Sequence, residues 1–76
     1  MNIPNIFADF NNADKNRRLR LNCEGSIADM EHIQLQEGIT VFVTDEESLQ
    51  TTGILQYSHD ENMWVVEIDW KDIKHF

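Results

Sequence analysis

"GITVFVTDEESLQTTGILQYSHDENMWVVEIDW", residues 38 to 70, decides the fold. After Gly38, a natural break, Ile39, Val41 and Val43 alternate with Thr40, Phe42 and Thr44, the period of a strand with one buried face. "DEESLQ" (45–50) is a polar connection into "TTGILQYS" (51–58), where Gly53 weakens the strand pattern and predicts a bulge or a sharp bend. "HDEN" (59–62) reads as a turn. "MWVVEIDW" (63–70) then sends Trp64, Val66, Ile68 and Trp70 to one face and Met63, Val65, Glu67 and Asp69 to the other. The tryptophan face is expected to point inward, as core, because turning it outward exposes four large apolar groups and buries two carboxylates without evident partners.

Upstream, "RRLRLN" (17–22) alternates Leu19 and Leu21 against Arg18, Arg20 and Asn22. The preceding "NNADKN" supplies turn formers, so "IFADF" (6–10) is expected to pair with this strand as a hairpin. "EGSIADMEHIQL" (24–35) changes to a helical period: Ser26 is the expected cap, with Asp29 three residues later and Ile27, Met30 and Ile33 on one side of about two turns. The ending "DWKDIKHF" offers Asp69 as a cap and Trp70, Ile73 and Phe76 at i, i+3, i+6, the pattern of a closing helical or 3₁₀ turn.

Strands joined by short connections bury their apolar faces most economically by curling. The fold class expected is mainly β (α+β), and the spacing of "EGITVFV", "GILQY" and "WVVEID" before a final turn resembles a small SH3-like barrel. The alternative is a strongly curved antiparallel sheet with one short helix. The likeness is one of pattern, since the peptide-binding signature of that family is absent. Residues 1–76 contain no repeat, low-complexity tract or Gly/Ser linker, so one small domain is expected.

Charge bounds the partners. The net charge is −8, with fourteen acidic against six basic side chains, a balance that repels nucleic acid and anionic lipid and attracts basic surfaces. Four of those six cations, Lys15, Arg17, Arg18 and Arg20, fall within the first twenty residues, a basic corner on an acidic body. Cys23 is the only cysteine, so no internal disulfide forms, and a secreted domain this short would ordinarily need one. With no apolar run approaching eighteen residues and no export-type N-terminus, a cytoplasmic protein without a membrane segment is expected.

A second likeness rests on "FADFNNADKNRRLRLN", then Gly25, "SIADM" and "LQEG", with the ending "WVVEIDWKDIKHF". This combination resembles a group of short uncharacterised bacterial proteins over most of the chain. The resemblance implies a bacterial cytoplasmic protein and carries over no site.

The residues themselves exclude several chemistries. Read as a calcium loop from Asp9, position 6 is Asp14 instead of glycine and position 12 is Arg20 instead of an acid. Its Asn and Asp side chains are better explained as satisfying turn backbone. Cys23, His32, His59 and His75 stand apart without a C-x₂-C or H-x₃-H pair, so no metal is expected. No nucleophile elbow, phosphate-cradling glycine loop or paired His and Cys occurs, and Glu67 with Asp69 reads as a solvated strand face, so neither a cofactor nor enzymatic activity is expected. An aromatic cage from Tyr57, Trp64 and Trp70 competes with their use as core, and core is the stronger reading in so short a chain.

The expected function is a small acidic interaction module, an inhibitor or adaptor, whose carboxylates Asp45, Glu46, Glu47, Asp60 and Glu61 meet a basic protein surface. The alternative is a nucleic-acid-associated accessory protein contacting phosphates through Arg18 and Arg20, disfavoured by the sign of the net charge.

Overall fold

In the computed structural model, which describes residues 3–75, the 38–70 stretch forms three antiparallel strands. They are β3 (Thr40–Thr44), β4 (Leu49–Ser58) and β5 (Met63–Ile68), preceded in the chain by β1 (Asn5–Phe7), β2 (Leu19–Arg20) and α1 (Glu24–Met30). A 3₁₀ turn, Trp70–Asp72, capped by the Asp69 side chain on Lys71 N–H, leads to β6 (Lys74–His75). Phe76, the last member of the expected closing turn, lies outside the described residues. The sheet order is β1-β3-β4-β5-β2, with β6 also on β4. The protein is thus mainly β, a curled half-barrel sheet with one short helix, compatible with a small SH3-like barrel.

Alternation builds the core. Ile6, Leu19, Val41, Val43, Leu55 and Val66 of β1 to β5 form one buried cluster with Ala8, Phe10 and Leu21, which continue the alternation of β1 and β2 beyond the strand ends. Gly53 does not introduce a bulge: its pairing to Val41 on one side and Ile68 on the other continues an unbroken register. It permits close approach instead. A Cβ at this position would stand 2.5 Å from Val66 Cγ1 and 2.6 Å from the Glu67 carbonyl oxygen, so only glycine allows β4 and β5 to coil this tightly.

The N-terminal segment departs from the expected hairpin. β1 runs parallel to β3, with Ile6 opposite Val43, while β2 pairs antiparallel with the far strand β5, with Leu19 opposite Val66. The turn formers close only a small local loop in which Ala13 bridges Leu19, Asp14 N–H donates to the Arg18 carbonyl, and Arg20 N–H donates to the Asn12 carbonyl. Burial is met without a hairpin: Ile6 against Val43 and Leu19 against Val66 enter one buried cluster from opposite edges of the sheet.

Ser26 is not the helix cap. Cys23 takes that position without a side-chain cap bond, and Ser26 lies one turn inside, fully buried. Its hydroxyl donates to the Phe7 carbonyl, and Asp29 Oδ2 accepts from Phe7 N–H at 2.8 Å. Two helix side chains thereby satisfy the outer edge of β1, which would otherwise present unpaired backbone. Ile27 faces outward and is 48% exposed.

The tryptophans flank the core instead of filling it. Trp64 and Trp70 are half-buried against the apolar cluster, and Trp70 has left the strand for the 3₁₀ turn. Val65, expected on the open face, is fully buried. The register explains this, because Arg20 of β2 and Gln56 of β4 sit on either side of Val65 on that face.

Candidate interaction surface

The basic corner is closed on itself. Arg18 Nε reaches Asp14 Oδ2 at 3.0 Å and its Nη1 donates to Gln56 Oε1 at 3.2 Å. Arg20 grips Glu61 with both arms of its fork, Nε to Oε1 at 2.7 Å and Nη2 to Oε2 at 2.8 Å, and its Nη1 donates to Asn12 Oδ1. Lys15 pairs with Asp60 at 3.3 Å on the exposed rim. Arg17 stacks its guanidinium 4.9 Å from the Trp70 ring centroid, and Trp70 Nε1–H donates to the Arg17 carbonyl at 2.8 Å. All four cations of the N-terminal cluster are therefore engaged within the chain.

The carboxylates of this corner respond accordingly. Desolvation pushes Asp14 upward, but the Arg18 backbone N–H, the Arg18 guanidinium and the Asn16 N–H together hold it below its ordinary value. The Arg20 side chain holds Glu61 below its ordinary value, and Glu61 in turn raises Arg20. Of the five acidic residues that the sequence singled out, Asp60 and Glu61 are thus spent on ion pairs at this end.

Asp45, Glu46 and Glu47 lie at the other end of β4, in the β3–β4 loop. Asp45 Oδ1 accepts from the N–H groups of Glu47, Ser48 and Leu49, each at 2.9 Å, and the Leu49 bond foremost keeps its carboxyl below the usual range. Asp45 shapes the loop, and Glu46 and Glu47 project from it without an ion pair among the described residues. The left-handed backbone of Glu46 (φ 62°) tightens that presentation.

Parallel pairing of β1 with β3 adds residues that sequence reasoning missed. Because the two strands end at the same side, Asp9 and Asn11 come to line a cleft of about 280 Å³ with Asp45, Glu47, Phe7 and Cys23. Asp9 Oδ1 accepts from Asn11 N–H at 2.9 Å, a local turn that was legible in the sequence; the proximity to Glu47 was not. Asp14, the partner of Arg18, was likewise hidden among turn formers.

Tyr57 and Trp64 meet edge to face with centroids 5.3 Å apart, and His59 packs against Tyr57 at 5.1 Å. Trp70 belongs to the separate contact with Arg17. Cys23 and the three histidines sit on different elements, the helix cap, the segment after α1, the β4–β5 turn and β6. No helix among the described residues is long and apolar enough to cross a membrane. Compared with protein-family models, curated proteins and solved structures, the chain matches none of them.

Proposed function

We propose that the protein is a small acidic interaction module that docks a basic protein surface, acting as an inhibitor or adaptor. The observation carrying this reading is the asymmetric use of charge. The four N-terminal cations are satisfied within the chain, whereas Glu46 and Glu47 remain unpaired among the described residues, with Glu47 beside Asp9. Long-range attraction to cations follows from a net charge of −8, and the loop supplies a defined point of contact. Phosphate contact through Arg18 and Arg20, the competing reading, requires both guanidiniums to give up carboxylates already within hydrogen-bonding distance.

The test is fluorescence anisotropy of a labelled lysine-rich peptide between about 20 mM and about 300 mM salt. Affinity is expected to fall steeply as salt rises and to fall again in Glu46→Gln/Glu47→Gln, while Glu24→Gln/Glu31→Gln, matched in charge, retains most of it. Equal losses in both double variants would reduce the effect to net charge and remove the loop from the interface. Binding of a labelled oligonucleotide at low salt, abolished by Arg18→Ala/Arg20→Ala, would favour the nucleic-acid reading instead.

A further inference from the structure

The outer face of the sheet carries a groove that continues from the acidic loop. Thr40, Ile54 and Glu67 stand in register across β3, β4 and β5, and Phe42 stands opposite Thr52 in the neighbouring row. All five side chains lie on the face opposite Val41, Leu55 and Val66. The 3₁₀ turn Trp70–Asp72 forms a wall above this floor, so that Thr40, Thr52, Ile54, Glu67, Asp69 and Trp70 line a cleft of about 750 Å³. A second cleft of about 330 Å³, with Phe42 and Gln50, shares Thr52 and Asp72 with the first. Together they follow β4 from Ile54 back to Gln50, next to the Asp45–Ser48 loop. At about 3.4 Å per residue, this path accommodates about four extended residues.

Its chemistry has two layers. Ile54 and Phe42, both half-buried, give an apolar floor, and Trp70 lines the wall. Glu67, Asp69 and Asp72 stand along the first cleft against a single cation, Lys71, while Lys74 sits at the far end beside Gln50. An apolar floor under an anionic rim matches side chains with an aliphatic stem and a cationic head. Trp70 already receives one such group, since the guanidinium of Arg17 is stacked on it within the chain. The sheet is also open at this point. β5 leaves β4 at the Gly53–Ile68 pair and β6 rejoins it at the Gln50–Lys74 pair, which leaves Thr51 and Thr52 without a strand partner on that edge.

We infer that this groove seats an extended, lysine- or arginine-bearing segment of a protein partner, its stems on Ile54 and Phe42 and its head groups at Glu67 and Asp72. The inference rests on the acidic-module reading and adds the place and the shape of the ligand. The partner's chain runs along β4 and exits toward Glu46 and Glu47.

The experiment uses the full chain, ¹⁵N-labelled, titrated with a short peptide of alternating lysine and threonine, with a glutamate–threonine peptide as control. Shifts are expected at the amides of Thr40, Thr52, Ile54 and Trp70, with none from the control. Glu67→Gln/Asp72→Asn should weaken binding about fivefold, the size expected for two exposed charge contacts. Thr52→Arg, at an exposed position, should block the groove with a cation of the chain itself while leaving the thermal midpoint unchanged. Shifts confined to residues 45–47, with both groove variants binding as wild type, overturn the groove and leave the acidic module standing. Failure of the lysine peptide to bind, or equal binding of the glutamate peptide, overturns both.

Discussion

The two ends of β4 treat charge in opposite ways. At the Ser58 end, carboxylates meet cations: Arg20 with Glu61 and Lys15 with Asp60 join segments distant in sequence, and Asp14 with Arg18 closes the N-terminal loop on itself. At the Leu49 end, carboxylates meet backbone: Asp45 holds its own loop, Asp9 its own turn, and Glu46 and Glu47 find no cation among the described residues. The closed end ties the N-terminal loop to the sheet, so its charges are structural. The open end is held by short-range hydrogen bonds that leave its remaining charge directed at solvent. Composition counts carboxylates; only the fold shows which of them meet a cation within the chain.

The strongest way to break this contrast is to disturb the strand that separates the two ends. Gly53→Val places side-chain carbon within van der Waals distance of Val66 and against the Glu67 carbonyl, and should cost about 3 kcal/mol or more. A sharp drop in the urea midpoint is expected; a midpoint near wild type would mean that β4 and β5 separate there without penalty. Next in size is the closed end. Asp14→Ala removes the partner of a mostly buried guanidinium and the acceptor for Asn16 and Arg18 N–H, an expected loss of about 2 to 3 kcal/mol. Hydrogen exchange should then accelerate at residues 12–20 before the rest of the sheet.

Asp45→Ala at the open end removes three backbone hydrogen bonds from an exposed loop, comparable to a lost helix cap, and should cost about 1 to 2 kcal/mol in chemical denaturation. Asp14, Asp45 and Glu61 all have carboxyls held lower in the folded protein than in the unfolded chain. The stability they supply is therefore fully present above the unfolded values and is lost as pH falls through the folded ones. Thermal midpoints should be level above about pH 5 and decline below about pH 4.5, with a shallower decline in Asp45→Ala. Smallest in stability is Glu46→Gln/Glu47→Gln, expected within about 0.5 kcal/mol of wild type while basic-peptide affinity falls severalfold. A large loss of stability in that variant would show that the open end is structural as well.

Strand periodicity was legible because it is local: Val41 and Val43, Leu19 and Leu21, and Leu55 face the core as alternation requires. Turn chemistry was legible for the same reason, at His59–Asn62 and in the Asx turn of Asp9, whereas Asp45, read only as a carboxylate for a partner, accepts three N–H groups of its own loop. The Trp64 and Trp70 positions were read half correctly. Alternation assigned a face, but how deeply a face is buried depends on what lies across it. β2 covers Val65 on the supposed open side, and nothing in the order of residues 63–70 announces that.

The sequence by itself determined strands β2 to β5, the turns between β3, β4 and β5, the presence of a short helix and the sign of the protein's field, all set by neighbours within a few residues or by a sum over the chain. Only the tertiary structure decided which charges remain available. Parallel pairing of β1 with β3 carried Asp9 to the Asp45–Glu47 loop, and antiparallel pairing of β2 with β5 carried Arg20 to Glu61. An alternating segment specifies which face it buries and not which strand it buries that face against. Strand partners are chosen by apolar fit across the whole core, and the charges travel with them.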